Sequence, residues 1–246
     1  MRSGSHFAQT ASSNPLVNSP CEKCNVAGMS LCHALSCDDL KKLSSISTAV
    51  EVGKGVTIIN EMDPADFLFN VTAGSIKLYK LLPDGRRQMT GFLFPGDFLG
   101  IAMNDCYAYS AEALEDCKLC RFPRAKLEAL LKEIPDLENR LLNMLSNELV
   151  LAQDQMLLLG RKTAIEKVSS FLLALSKRTK SKTGTGDVIS LPMGRSDIGD
   201  YLGLTTETVS RTLTNLKKKG IISIPTNGQL EINDMEELTD LAEGMD

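Results

Sequence analysis

The stretch Gly194-Arg195-Ser196-Asp197-Ile198-Gly199-Asp200-Tyr201-Leu202-Gly203-Leu204-Thr205-Thr206-Glu207-Thr208-Val209-Ser210-Arg211 decides how the rest of this sequence is read. Ser196 is placed to cap a short helix that holds Ile198, Tyr201 and Leu202, and Gly203 permits a tight turn. Leu204 then packs inward, Thr205 caps a second helix, and Val209, Leu213 and Leu216 form its buried face. The opposite face presents Thr206, Glu207, Ser210, Arg211 and Asn215, positions from which side chains reach base edges in a DNA major groove. Glu207 can accept from a cytosine amino group, and Arg211 can donate two bonds to guanine. Ser210 is small enough to sit against a thymine methyl or a phosphate. Beyond Gly220, Ile221–Ile224 and Gln229–Ile232 flank Thr226-Asn227-Gly228. Asn-Gly between alternating apolar residues signals a hairpin, so a wing is expected beside the two helices.

Upstream, residues 161–180 read as a helix with Ile165, Val168, Phe171, Leu172 and Leu175 on one face, followed by a Gly/Thr/Ser/Lys-rich loop at 179–187. Before it lies a longer helix, opened by Pro135 and Asp136 and ended or kinked at Gly160. Along it Leu142, Leu145, Leu149, Ala152, Met156 and Leu159 follow a 3-4-3-4-3 spacing, the a/d seam of a coiled coil, which favours a homodimer. Leu141, Val150, Leu157 and Leu158 widen the stripe, so the helix is expected to touch its own chain as well. From Val50 to about Phe122 short β-branched stretches such as Val56–Ile59 and Ser75–Tyr79 alternate with turn signals at Gly53, Gly55, Gly74, Pro83-Asp84-Gly85 and Pro95-Gly96-Asp97. That pattern predicts a small antiparallel barrel or roll.

The fold class expected is therefore α+β. Its parts are a disordered polar tail (1–20), a cysteine-rich segment (21–37), a β-roll (38–133), a dimerisation helix (134–160) and a winged helix-turn-helix (161–246). The formal net charge of −4 conceals segregation. Arg161 to Lys182 and Lys217-Lys218-Lys219 are basic, while Glu231 to Asp246 is acidic, so one face can still be positive. No apolar run reaches the length of a membrane span and the polar start has no secretory signal, so a cytoplasmic protein without membrane contact is expected. Seven cysteines in that reducing compartment ask for a metal or redox role before a disulfide one. No nucleophile–His–acid set and no phosphate loop is visible, and enzyme activity is not expected.

The run Ser196–Thr205 followed by Glu207-Thr208-Val209-Ser210-Arg211 closely resembles the FNR branch of the CRP/FNR superfamily. Gly74–Tyr79, Gln88–Phe92, Pro95–Gly100 and Gln155–Leu159 are similar to the same branch, and the resemblance spans about residues 21 to 235. It implies a β-roll sensor, a long dimer helix and a winged helix-turn-helix in a transcription regulator. It also implies that Glu207, Ser210 and Arg211 read inverted repeats of TTGAT-type half-sites. In the CRP branch the roll binds cyclic AMP through a Glu and an Arg-Ser or Arg-Thr pair. The stretch Ile101–Ser110 here has neither, so cyclic-nucleotide binding is not expected. The loop Pro83–Gln88 matches a family surface that contacts RNA polymerase, although its charges are basic where some relatives are acidic.

Cys21, Cys24 and Cys32 form a C-x2-C-x7-C group. In FNR-like sensors such a group is completed by one distant cysteine in a Leu/Val-Cys-x-Ile/Phe-Pro context, which Cys120 matches. The resemblance thus implies four thiolates holding a 4Fe-4S cluster that senses oxygen, with the dimer formed and DNA bound while the cluster is intact. The x7 spacing is longer than in some members. Ala152 stands where some place an acidic residue that makes dimerisation marginal, which weakens dissociation as the switch. Cys37 and His33 compete as ligands, His33 in a zinc site, and Cys106 and Cys117 are surplus. Cys117 should face away from Cys120, because their separation along a strand is odd. Two further readings stay open: a cluster-free regulator responding to redox state or another signal, and a thiol oxidoreductase acting through Cys21 and Cys24.

Overall fold

Helix α1 (Cys37–Ile46) precedes the strands, and Ser36 caps it by accepting from the Asp39 N–H at 3.1 Å. Ten short strands follow: β1 (Thr48–Val52), β2 (Thr57–Ile59), β3 (Phe67–Ala73), β4 (Ile76–Leu81), β5 (Arg87–Leu93), β6 (Phe98–Leu99), β7 (Ala102–Met103), β8 (Cys106–Tyr107), β9 (Ser110–Ala113) and β10 (Cys117–Pro123). They pair as two four-stranded antiparallel sheets, β1-β10-β3-β6 and β2-β9-β4-β5, with a small β7-β8 hairpin. The computed structural model describes residues 21, 24, 26, 28–33, 35–103, 105–183, 186–226 and 228–245. The expected tail at 1–20 and Asn227 of the wing turn lie outside them.

Between the two sheets, Val71, Ile76, Leu78, Leu99, Ala111 and Leu119 make a dry interior. At the β3–β4 link Gly74 takes φ +82°, and a Cβ there would stand 2.6 Å from the Asp116 carbonyl oxygen and from Cys117 Sγ, so no other residue fits. Strand β10 has two faces with different work. Cys117 and Leu119 turn into the roll, whereas Cys120 and Phe122 turn outward to a second core with Leu31, Leu43, Leu68, Leu127 and Leu137. Cys117 and Cys120 therefore face apart, as the odd separation requires.

That second core is closed by α2 (Arg124–Glu133) and the first turns of α3 (Pro135–Arg161). Pro135 at the first helical position loses no hydrogen bond there, and Asp136 and Glu138 suit the positive end of the helix. After a two-residue break, α4 (Ala164–Thr183) begins the C-terminal unit of β11 (Val188–Ser190), α5 (Arg195–Leu202), α6 (Thr206–Lys218), β12 (Ile222–Ser223), β13 (Gln229–Ile232) and α7 (Met235–Glu243). The wing forms as the Asn-Gly signal indicated, with β12 paired to β13, and β11 adds a third strand.

The roll and the C-terminal unit share side chains. Phe92 of β5 joins the core of the latter, its ring 6.1 Å from Phe171 and 5.2 Å from Tyr201. Gln88 Nε2 donates to the Asp200 carbonyl at 2.9 Å, and Lys77, nearly buried, pairs with Glu112 at 2.9 Å and Asp197 at 3.5 Å.

Candidate functional site

Helix α5 ends at Gly203, whose φ of +63° closes the turn, and Thr205 caps α6 by accepting from the Thr208 N–H at 3.1 Å. The cap of α5 differs from expectation. The helix starts two residues earlier, at Arg195, behind Gly194, and the Asp197 carboxylate accepts from the Gly194 N–H at 3.1 Å. An acidic residue three places on thus ties back the N–H of the cap residue, a different bond from the one a Ser196 cap would accept from further along the helix. Gly199 carries no motif signal, yet a Cβ on it would lie 2.7 Å from the Leu204 carbonyl oxygen, so the turn can close only over glycine.

Val209, Leu213 and Leu216 are buried on the inner face of α6, while Thr206, Glu207, Ser210, Arg211 and Asn215 are exposed on the outer one. Glu207 and Arg211 form an ion pair at 2.5 Å, and Ser210 Oγ donates to the Thr206 carbonyl at 2.8 Å. Lys217 and Lys218 stand exposed in the last turn.

Helix α3 carries the expected seam outward. Leu142 is 54% exposed, Leu149 62% and Met156 72%, with Leu145, Ala152 and Leu159 also exposed. Leu141 and Met144 pack on the second core, and Leu158 on the C-terminal core, so the helix serves its own chain along a different stripe. An uncovered apolar row of this length marks a contact surface.

Four of the seven cysteines come together. Cys21, Cys24, Cys32 and Cys120 line one apolar cavity, walled by Leu43 and Phe122 and with Asn70 on its surface. A turn brings the first two close, the Cys24 N–H donating to the Cys21 carbonyl at 3.3 Å. Burial pushes the Cys32 thiol up to about 11, the bond from Ser30 opposing and the nearby Cys21 and Cys24 adding. Burial, then Cys21, Cys24 and Cys32, push Cys120 up to about 12. Both are protonated at neutral pH unless a positive metal replaces the protons. Four sulfur donors in an apolar wall are the donor set of a thiophilic metal group, and an iron–sulfur cube fits that chemistry. No three His, Cys, Asp or Glu side chains among the described residues close around a single metal ion. His33 is exposed and does not line the cavity, nor do Cys37, Cys106 or Cys117.

The segment bearing these thiols is fastened to α3. Leu31 is fully buried in the second core, and Arg140 donates to the carbonyls of Met29 at 3.0 Å and Ser30 at 3.2 Å. Inside the roll, the Tyr107 hydroxyl donates to the Phe67 carbonyl at 2.8 Å. The Tyr109 hydroxyl accepts from the N–H groups of Gly100 and Ile101 at 3.3 and 3.4 Å, so these loop donors are already engaged.

Residues 49–134 match the family described as cyclic nucleotide-binding domain, and residues 166–241 match the Crp-like helix-turn-helix domain. The nitrogen fixation regulation protein FixK of Bradyrhizobium diazoefficiens is 41% identical over 85% of this chain and 88% of its own length. The transcriptional activator protein anr of Pseudomonas aeruginosa is 34% identical over 97% of this chain and 98% of its own. The solved structure of FixK2 from Bradyrhizobium japonicum superposes with a TM-score of 0.74 at 38% identity, covering 80% of this chain and 97% of that one. With a roll, a long helix and a DNA-reading winged motif in one chain, this protein belongs to the CRP/FNR family of transcription regulators.

Proposed function

We propose that this regulator senses oxygen through a 4Fe-4S cluster held by Cys21, Cys24, Cys32 and Cys120. The observation that carries the reading is the meeting of those four thiols in one apolar cavity, two of whose lining side chains, Leu43 and Phe122, belong to the core that also takes in Leu137 of α3. When bound, such a cluster supplies a centre that oxygen can oxidise and dismantle. The rest is done by the chain. With the three N-terminal cysteines held against Cys120, Leu31 stays packed and Arg140 keeps both carbonyl partners, fixing the first turns of the helix whose next residues form the seam. With the thiols released, that short segment is held by the burial of Val26 and Leu31 and by the two bonds from Arg140.

The proposed active form is a cytoplasmic homodimer joined along Leu142, Leu145, Leu149, Ala152, Met156 and Leu159. It presents two copies of α6 to an inverted repeat of TTGAT-type half-sites. Thr206, Glu207, Ser210 and Arg211 face the bases, and the loop Pro83–Gln88 faces RNA polymerase. Cyclic nucleotide is not the proposed effector, because Tyr109 occupies the N–H groups of Gly100 and Ile101.

Anaerobic purification with iron and acid-labile sulfide analysis tests the reading. A brown protein whose visible absorption bleaches in air, and whose iron is lost in each of Cys21→Ala, Cys24→Ala, Cys32→Ala and Cys120→Ala, is expected. A colourless, iron-free chain after anaerobic reconstitution refutes it and leaves a cluster-free regulator of the same family.

A further inference from the structure

We propose that Asn70 is a hydrogen-bond donor to the cysteine sulfurs of this centre, setting its redox potential rather than its assembly. The inference rests on the cluster reading above. Asn70 interrupts an otherwise apolar stretch of β3, Phe67-Leu68-Phe69-Asn70-Val71, and is 2% exposed. In the β3–β10 ladder its Cα partner is Cys120, so both side chains leave the sheet on the same face as direct cross-strand neighbours. Both line the cavity.

The side-chain oxygen of Asn70 is buried without a hydrogen-bond partner among the described residues. An asparagine brings two N–H donors and one acceptor oxygen, and burying them unmatched is unfavourable. Were packing its task, an apolar residue like its neighbours would serve better at no such cost. Half a revolution about its last bond exchanges the oxygen and the NH2 group, and an NH2 group in the place of the unmatched oxygen can donate to a sulfur of the cavity that Asn70 lines. Sulfur ligands to iron are electron-rich acceptors, and hydrogen bonds to them are among the factors that set cluster potentials. A donor there stabilises the more negative, reduced centre, so its presence raises the potential.

The test uses the full chain as wild type, Asn70→Leu and Asn70→Ser, each reconstituted anaerobically with ferrous iron and sulfide. The readings are iron per chain, midpoint potential by spectroelectrochemical titration, and the unfolding temperature of the metal-free protein. All three chains are expected to load. Asn70→Leu should show a more negative potential than wild type, and Asn70→Ser, which keeps an O–H donor, should stay closer to wild type. The metal-free Asn70→Leu chain should unfold at or above the wild-type temperature, because an unmatched polar group has been removed. Equal potentials for wild type and Asn70→Leu, or a metal-free Asn70→Leu chain less stable than wild type, overturn the proposal in favour of a structural role. A wild-type chain that takes up no iron fails at the earlier step, the cluster reading itself, and removes both.

Discussion

Arg140 reaches from α3 to the Met29 carbonyl oxygen at 3.0 Å, so the long helix holds the cysteine segment by its backbone three residues before Cys32. Its Nε makes a second bond, to Ser30. Replacing Arg140 by Met keeps most of the aliphatic stem and removes both donors. Hydrogen bonds from charged groups contribute about 1.5–3 kcal/mol each, and this side chain is partly solvated, so a loss of about 1–3 kcal/mol in urea unfolding of the metal-free chain is expected. Amide exchange in residues 28–33 should accelerate. An unchanged unfolding midpoint would show the bonds to be dispensable.

The exposed row on α3 predicts assembly. Leu149→Glu puts a charge at the middle of the seam in both protomers. Each leucine removed forgoes about 1.5–3 kcal/mol of burial, so dimer dissociation should strengthen roughly 100-fold or more. Sedimentation equilibrium reads this directly, and an unshifted mass distribution counts against the seam. Ala152→Asp should weaken the dimer in the same direction but less.

Helix α6 predicts a division between specificity and affinity. Arg211→Ala should relax base preference at one position of each half-site by about 1–3 kcal/mol. Glu207→Ala should do the same at a neighbouring position and also leave Arg211 without its 2.5 Å partner. Lys218→Ala should weaken binding to every sequence alike and reduce the salt slope by about one. Selection from random DNA distinguishes these outcomes, and an unaltered preference in Arg211→Ala removes the assignment.

Two raised thiols give a pH dependence to the metal-free chain. A cysteine in the unfolded chain ionises near its ordinary value of 9.0, whereas folding holds Cys32 near 11 and Cys120 near 12. The unfolded chain therefore releases protons first as pH rises, and stability that is complete below pH 9 is lost progressively toward pH 11–12. Wild type should lose unfolding temperature over that window more steeply than Cys32→Ser or Cys120→Ser. Parallel curves would show that burial does not perturb these thiols.

Local chemistry was legible in the sequence wherever one residue determines one turn. Gly203 and Thr205 announced the α5–α6 corner, and the Asn-Gly dipeptide announced the wing, because left-handed backbone and side-chain capping depend on residue type alone. The α5 start differs from expectation because two neighbouring positions can each open the helix, and Asp197 turning back to the Gly194 N–H favours the earlier one over Ser196. Gln88 meeting Asp200 lay beyond reach, since periodicity assigns a residue to a face without naming what covers that face. Asn70 carried a signal that went unread: one amide within an apolar strand run. The Cys21–Cys24–Cys32 group showed its spacing openly, but its meeting with Cys120 required the resemblance, because nearly ninety residues of roll separate them.

Gln155, near the far end of α3, donates to the Tyr201 carbonyl at 2.7 Å, so the same helix that grips Met29 also touches the first helix of the DNA-reading corner. Arg140 and Gln155 stand about 22 Å apart at 1.5 Å per residue. A stiff rod of that length acts as a lever: a tilt of about five degrees at one end arrives as roughly 2 Å at the other. Movement of that size is comparable to a hydrogen-bond length, enough to bring base-facing side chains into or out of register without any change inside the reading head itself.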